Sequence, residues 1–419
     1  MTARESPPEA LEGLRVVELP CTDAMPFLAA SAAAKSFADF GAEVIKVEPP
    51  GTGAQERQLG PFRDEMPDPE TGGLHLFLNT NKLGITLDLE NPRAREILFE
   101  LLEGADIVLN PNLPAFNNRI GLSWRALTER FPKLIVVSLT SFGADSPYRD
   151  YRGGDLVTTQ MSVVGYETPW HQVTDLASQP PLKMAGRQAD YLAGYTAAAA
   201  AMVAVFDRKR TGVGQHVDVS QWLSMVSVVR PNLGAATHES KESPAYRRLS
   251  IRTKSGAQWV YPCQDGWVSF NAGTERFWRG WKAMLGNPEW MESEMFATTV
   301  SRAAHVDVIE AAIHDWLTTV TKKEAFERAQ AQHVPCFPVH TMSEVAENPQ
   351  YRARGFFVDH DHPAAREVRM PGAPCAFSRT PWRIKRGAPR LGEHNRKILG
   401  ERIGIAEAEL KRLAAERVI

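Results

Sequence analysis

The sequence predicts an α/β protein, with a large domain built on a parallel sheet and a smaller α+β domain after it. Two observations carry that expectation. Short apolar runs alternate with helix-like segments through roughly the first 150 residues. Further on, the alternation gives way to a hairpin-like pair of strands and to helices rich in Trp and Phe. The chain has 419 residues, 43% of them hydrophobic and 23% charged, which is enough apolar material for a sizeable core and more than one domain.

The elements follow in order. "LRVVEL" and "AEVIKVE" read as buried strands, and "AASAAAKSFADFGA" between them reads as a helix that stops at Gly41. "GITLDL" is a third strand. "NPRAREILFELLEGA" opens a helix on Asn91 with Pro92 at its first position and ends at Gly104. "DIVLN" is a strand, "SWRALTERF" a helix capped by Ser123, and "KLIVVSLTSFG" a long strand. This βαβ rhythm implies helices on both faces of a Rossmann-like sheet. "GADSPYRDYRGGD" reads as a loop, followed by an alanine-rich helix that runs into "RTGVGQHVDVS", and then by the helix "QWLSMVSVV".

"WVYPCQDGWVSFNAG" reads as a hairpin centred on Asp265-Gly266. The domain expectation is a large domain over 1–225, a linker over 226–250, a small α+β domain over 251–340, and a C-terminal segment, 341–419, returning to the large domain.

Composition narrows the function classes. With 48 basic and 50 acidic residues the formal net charge is −2, so no overall field attracts nucleic acid or a membrane surface. Cys21, Cys263, Cys336 and Cys375 are scattered and form no CxxC pair, which points to a reducing, cytoplasmic setting. The N-terminal "MTARESPPEALEG" has no apolar signal core. The apolar run from Tyr191 to Phe206 falls short of the roughly 20 residues a membrane span needs, and reads as a buried helix.

No dinucleotide fingerprint is complete. "VIKVEPPGTGAQE" supplies Gly51 and Gly53 after a strand, but Glu56 stands where the third glycine belongs. Walker, HExxH and GxSxG motifs are absent from the sequence, and its histidines lack metal-ligand spacing.

The segment "GRQADYLAGYTAAAAAMVAVFDRKRTGVGQHVDVS" draws more interest. It puts one acid, Asp190, at the start of the alanine helix, while Arg208, Lys209 and Arg210 match the far end and Gly212 can terminate it. Asp190 read alone is a helix cap or first-turn residue. It is also a chemically sensible nucleophile toward an activated acyl group, because a carboxylate is already deprotonated at neutral pH and needs no partner base.

Taken together, "LEGLRVVEL…ADFGAEVIKVEPPGTG", "LNTNKLGITLDL", "IGLSWRALTERFPKLIVVSLTSFG", "GGDLVTTQMSVVG", "RTGVGQHVDVS", "YPCQDGWV", "VPCFPV" and "LGEHNRKILG" resemble the class III CoA-transferases, which include formyl-CoA and carnitine CoA-transferases. The resemblance covers nearly the whole chain. It implies that Asp190, four residues before Gly194, is the nucleophile that forms an aspartyl-CoA thioester at a helix mouth screened from water. It further implies that Lys82 and Arg119 contact coenzyme A, that acyl-CoA and a carboxylic acid are the substrates, that no metal or redox cofactor takes part, and that the chain forms an interlocked-ring homodimer.

The sequence departs from the family at several points. Pro49 stands where some members carry a phosphate-binding arginine, the loop "PCTDAMPFLAASAAAK" is lengthened, and "TKSGAQW" retains only Gly256 of a glycine run. α-Methylacyl-CoA racemases share the fold and are the alternative, together with an intramolecular acyl-CoA isomerase. Racemases place a histidine before the aspartate of a "GHD" motif, and here "RGGDLV" has Gly154 in that place. A non-catalytic acyl-CoA-binding protein is the alternative outside the enzymes. Asp155 reads as a cap for the helix that follows it.

Overall fold

The computed structural model describes residues 8–22, 27–168, 175, 177–229 and 258–419. They form two compact units: one takes the chain through 229 and again from 355 to 419, and the other takes 258–354. Most of the expected linker 226–250, the centre of the lengthened first loop (23–26) and Gly256 lie outside the described residues.

The first unit is built on a six-stranded sheet. Its strands are β1 (Arg15–Glu18), β2 (Glu43–Glu48), β3 (Leu83–Thr86), β4 (Ile107–Asn110), β5 (Ile135–Thr140) and β6 (His216–Ser220). Every pairing is parallel and the spatial order is β3-β2-β1-β4-β5-β6. The order reverses between β1 and β4, so their carboxyl ends flank the crevice where such sheets hold ligands. Five of these strands were legible as apolar runs. β6 was not, because "HVDVS" has only two apolar positions and is exposed at Asp218.

Helices cover both faces. On one, α3 (Pro92–Glu103) buries Ile97, Leu98, Leu101 and Leu102 against β1, β2 and β3, and each such side chain contributes about 2 kcal/mol of transfer free energy. Its cap is the expected one: Asn91 accepts from Arg93 N at 2.9 Å, and Pro92 opens the first turn. Ser123 likewise caps α5 (Trp124–Arg130) by accepting from Ala126 N.

On the other face α1 (Ala29–Asp39) and α8 (Gln188–Thr211) lie against each other and against the sheet. Ala29, Ala33, Ala193, Ala197 and Ala201 form the seam, all 0 or 1% exposed. Gly194 is required there, since a Cβ would stand 2.7 Å from both Ala29 O and Ala32 Cβ. α8 ends as expected at Gly212, whose φ of 78° places it in the left-handed region. The helix is not buried all round: Tyr195, Val203 and Phe206 are 52%, 69% and 76% exposed.

The carboxyl half of the unit adds a hairpin of β10 (Phe357–His362) and β11 (Arg366–Pro371) and a final helix, Glu407–Ala415. The second unit pairs β7 (Gln258–Cys263), β8 (Gly266–Asn271) and β9 (Cys336–Pro338) antiparallel. Its core stacks Trp278, Trp281 and Phe270, as ordinary interior aromatics do. The hairpin turn is one residue earlier than expected: Gly266 pairs with Cys263, which leaves Gln264-Asp265 as the two-residue loop.

Candidate active site

Asp190 is the third residue of α8 and is 1% exposed. Its carboxylate does not cap its own helix. Instead Oδ1 accepts the backbone N–H of Leu28, at the start of α1, at 3.2 Å and the Gln221 side-chain amide at 2.8 Å. Oδ2 accepts from the Arg187 guanidinium at 3.2 Å, and that arginine side chain is 25% exposed. The carboxylate is therefore bounded by a helix start, an amide and one partly solvated cation. It is enclosed, with the Leu28 peptide and the Arg187 side chain against it.

Burial pushes the Asp190 carboxyl up to about 6, although the Leu28 N–H and the Arg187 charge pull the other way, and nearby Asp155 adds to the rise. The group is still about nine-tenths ionised at neutral pH.

The donors are themselves held. Gln221 follows β6 directly and opens α9 (Gln221–Val226). The Thr158 hydroxyl on α6 (Asp155–Met161) donates to Gln221 Oε1 at 2.9 Å, which leaves the Gln221 NH2 to face Asp190. Asp155 does not cap α6: its Oδ1 accepts from Ala189 N at 2.9 Å and its Oδ2 pairs with Lys183 at 2.6 Å, so it caps the start of α8. Neither Gln221, Thr158 nor Arg187 was singled out in the sequence. The signal for Gln221 was its place at the carboxyl end of a parallel strand, and that strand itself was missed.

Lys82 is a core cation with 0% exposure, and it presents no surface to a ligand. Its ammonium donates to Glu18 at 2.8 Å, Asn79 Oδ1 at 2.9 Å and Ser31 O at 3.1 Å. Lys46 bridges Glu18 at 2.6 Å and Glu56 at 2.7 Å within the same network. Burial and the Lys46 charge draw Lys82 down to about 8 despite Glu18. The network clamps the first turn of α1, through Ser31, to the ends of β1 and β2, and so fixes the helix whose Leu28 N–H reaches Asp190. Arg119, at the end of α4 (Pro114–Ile120), is a solvated surface residue paired with Glu90 at 3.1 Å. No contact joins Asp190 to Lys82 or Arg119.

The "EPPGTGAQER" loop is organised by a buried Arg57, which grips Glu48 in bidentate fashion at 2.6 and 2.9 Å, and Glu48 also accepts Ala54 N. The glycine loop is thus wrapped on a side chain. Beyond the carboxyl ends of β1, β4 and β5 lies a small recess of about 20 Å³, room for about one water, walled by Phe27, Pro111, Thr140, Ser141, Arg152 and Gly153. Phe27 precedes Leu28, so the cavity adjoins the peptide that binds Asp190.

A six-stranded parallel sheet with helices on both faces and a carboxylate held near its carboxyl edge defines a doubly wound α/β protein. The family model for CoA-transferase family III matches residues 11–395, and the chain belongs to that family. It is similar to a succinyl-CoA–D-citramalate CoA-transferase of Chloroflexus aurantiacus, with 30% identity over 99% of both chains. It is also similar to a formyl-CoA:oxalate CoA-transferase of Streptomyces avermitilis, with 28% identity over 98% of this chain and all of that one. Among solved structures, a CaiB/BaiF family protein from Brucella suis superposes with a TM-score of 0.79 at 26% identity, covering 94% of this chain and 99% of that one.

Proposed function

We propose that the protein moves coenzyme A from an acyl-CoA to a carboxylic acid, with Asp190 as the nucleophile. One observation carries this reading. Asp190 Oδ1 is fixed by two neutral donors, while Oδ2 is held, among the described residues, by Arg187 alone, a side chain with access to solvent. When Arg187 swings aside, Oδ2 faces the substrate with its geometry already set.

Oδ2 attacks the thioester carbonyl, and the CoA thiolate leaves as a mixed anhydride forms. The thiolate then attacks the aspartyl carbonyl, which gives the aspartyl-CoA thioester and frees the donor acid. The acceptor carboxylate attacks that thioester, expelling the thiolate, and the thiolate takes the acceptor acyl group and restores Asp190. No step moves a net proton or electron. At each addition to the aspartyl carbonyl, the Leu28 N–H and the Gln221 amide are in place to stabilise the developing oxyanion.

Racemisation needs an acid/base on each face of the α-carbon. Gly154 offers none, and the Asp155 carboxylate is engaged by Ala189 N and Lys183. We also propose a homodimer in which a second copy covers the exposed Tyr195, Val203 and Phe206 face of α8, and a cytoplasmic setting in keeping with four free cysteines.

The test is incubation with succinyl-CoA and formyl-CoA, each with a panel of acids, in the presence of hydroxylamine. Transfer together with a hydroxamate on Asp190, both lost in Asp190→Ala, supports the reading. Deuterium exchange at the substrate α-carbon without an adduct would indicate the racemase, and CoA binding with neither would indicate a binding protein.

A further inference from the structure

We infer that Arg187 binds the reacting carboxylate of the donor acid as it leaves and of the acceptor acid as it enters, in the interval when Asp190 carries coenzyme A. The inference rests on the transferase reading and adds to it the group that receives the acids.

Arg187 donates to Asp190 Oδ2 at 3.2 Å, and among the described residues that is the one partner of its side chain. The structural arginines differ. Arg57 spends its guanidinium on Glu48, Glu70 and two backbone carbonyls, and Arg208 spends its own on Asp106 and the carbonyl of Lys133. The Arg187 side chain is 25% exposed, so donors remain for an arriving planar anion. Its backbone is nevertheless fixed. The Arg187 carbonyl accepts Tyr191 N at 3.2 Å, and Asp155 holds the same turn of α8 through Ala189 N at 2.9 Å. Lys183, from the same segment, is taken by Asp155 at 2.6 Å, which leaves Arg187, among the described residues, as the cation paired with the nucleophile. A fixed backbone with a lightly held head suits a group that must change partners.

The covalent steps decide where that partner goes. Oδ2 bonds to the donor acyl carbon in the mixed anhydride. When the CoA thiolate attacks the aspartyl carbonyl, the bond from that carbon to Oδ2 breaks, and Oδ2 departs as one oxygen of the donor carboxylate. Asp190 keeps Oδ1, still fixed by the Leu28 N–H and the Gln221 amide, and has lost its charge. The oxygen that Arg187 held now belongs to the acid, and the negative charge has gone with it. A partly buried guanidinium left without an anion is costly, so Arg187 stays with the carboxylate just formed. The acceptor acid takes the same path in reverse, and one of its oxygens becomes the new Oδ2. Arg187 keeps its protons throughout, since a guanidinium does not titrate in this range. In the resting enzyme Asp190 itself fills the site, so an acid binds tightly only after aspartyl-CoA has formed.

Asp190→Asn imitates the uncharged state without a covalent bond. Its amide oxygen must take the Oδ1 place, because two donors point there, and its NH2 then faces Arg187, which loses its acceptor. Equilibrium binding of formate, succinate and, as a neutral control, succinamide is measured with coenzyme A present. The proteins are the wild type, Asp190→Asn, and Asp190→Asn combined with Arg187→Gln or with Arg187→Lys. The expected result is that Asp190→Asn binds formate or succinate at least about tenfold more tightly than the wild type, as one charge-assisted pair predicts. Adding Arg187→Gln removes that gain, adding Arg187→Lys keeps part of it, and succinamide binding is the same in all four. Acid binding by Asp190→Asn that matches the wild type, or that survives Arg187→Gln, overturns the inference. A parallel change in succinamide binding overturns it too, since pocket shape and not charge would then be at work. Binding needs no turnover, so Arg187 can fail here while hydroxylamine traps Asp190, and acid binding can follow Arg187 while no adduct forms.

Discussion

The side-chain amide of Gln221 donates to Asp190 Oδ1 at 2.8 Å, and the Thr158 hydroxyl, which is shared with Gly154 O, lies 2.9 Å from the Gln221 Oε1. The pair links the end of β6 to the start of α8. It therefore couples the edge of the sheet to the ionisation of the candidate nucleophile.

Gln221→Leu removes a donor from a buried carboxylate. The Asp190 carboxyl, now at about 6, rises further because burial is less opposed. The acidic limb of the pH–rate profile is expected to move upward from about pH 6, and kcat to fall about tenfold or more. Thr158→Val should shift the limb the same way by less. An unmoved limb in both would mean that the amide does not tune the carboxylate.

Asp190→Asn should stabilise the fold near neutral pH. A carboxyl whose folded value lies above the ordinary 3.8 is a source of stability below that value, and the stability is lost as pH rises through about 6. Asparagine does not titrate, so its advantage over the wild type opens between about pH 4 and about pH 6. Above that it holds at about 1–3 kcal/mol. Melting temperatures of both proteins across that range test it.

Gly194→Ala drives a methyl against Ala29 O and Ala32 Cβ, each 2.7 Å from the ideal Cβ. Either α1 or α8 must shift, at a cost of about 1–3 kcal/mol. Because Leu28 N lies at the start of α1, activity should fall more than stability alone explains. Denaturant unfolding alongside kcat provides the comparison.

Lys82→Met leaves Glu18 facing Lys46 alone in a fully buried site, and the expected loss is about 3–5 kcal/mol. Michaelis constants for acyl-CoA in whatever folds should stay near those of the wild type, since the Lys82 side chain is 0% exposed. Arg119→Ala, on a solvated pair with Glu90, should leave the melting temperature unchanged.

Local signals were legible and long-range ones were not. The caps Asn91 and Ser123, the Gly212 stop and five parallel strands are set by chain neighbours and apolar runs, and each was read correctly. Asp190 was singled out by its position and by family resemblance. Its partners were not, because Leu28 and Gln221 lie 162 and 31 residues away. Lys82 reads as a surface cation in any local window, and only the fold shows Glu18, 64 residues away, receiving it. Asp155 looked like the cap of its own helix and instead holds the next one, across a separation of 34 residues.

The central claim is that Asp190 bonds in turn to each acyl carbon. An acceptor acid labelled with oxygen-18 in both carboxylate positions tests this directly, with acyl-CoA present and the Asp190 peptide weighed after turnover. Attack by the labelled acid and return of the thiolate must leave one heavy oxygen on Asp190 per cycle. Label on that peptide, absent in protein incubated without acyl-CoA, is the predicted result. Turnover with no label on Asp190 would contradict the account.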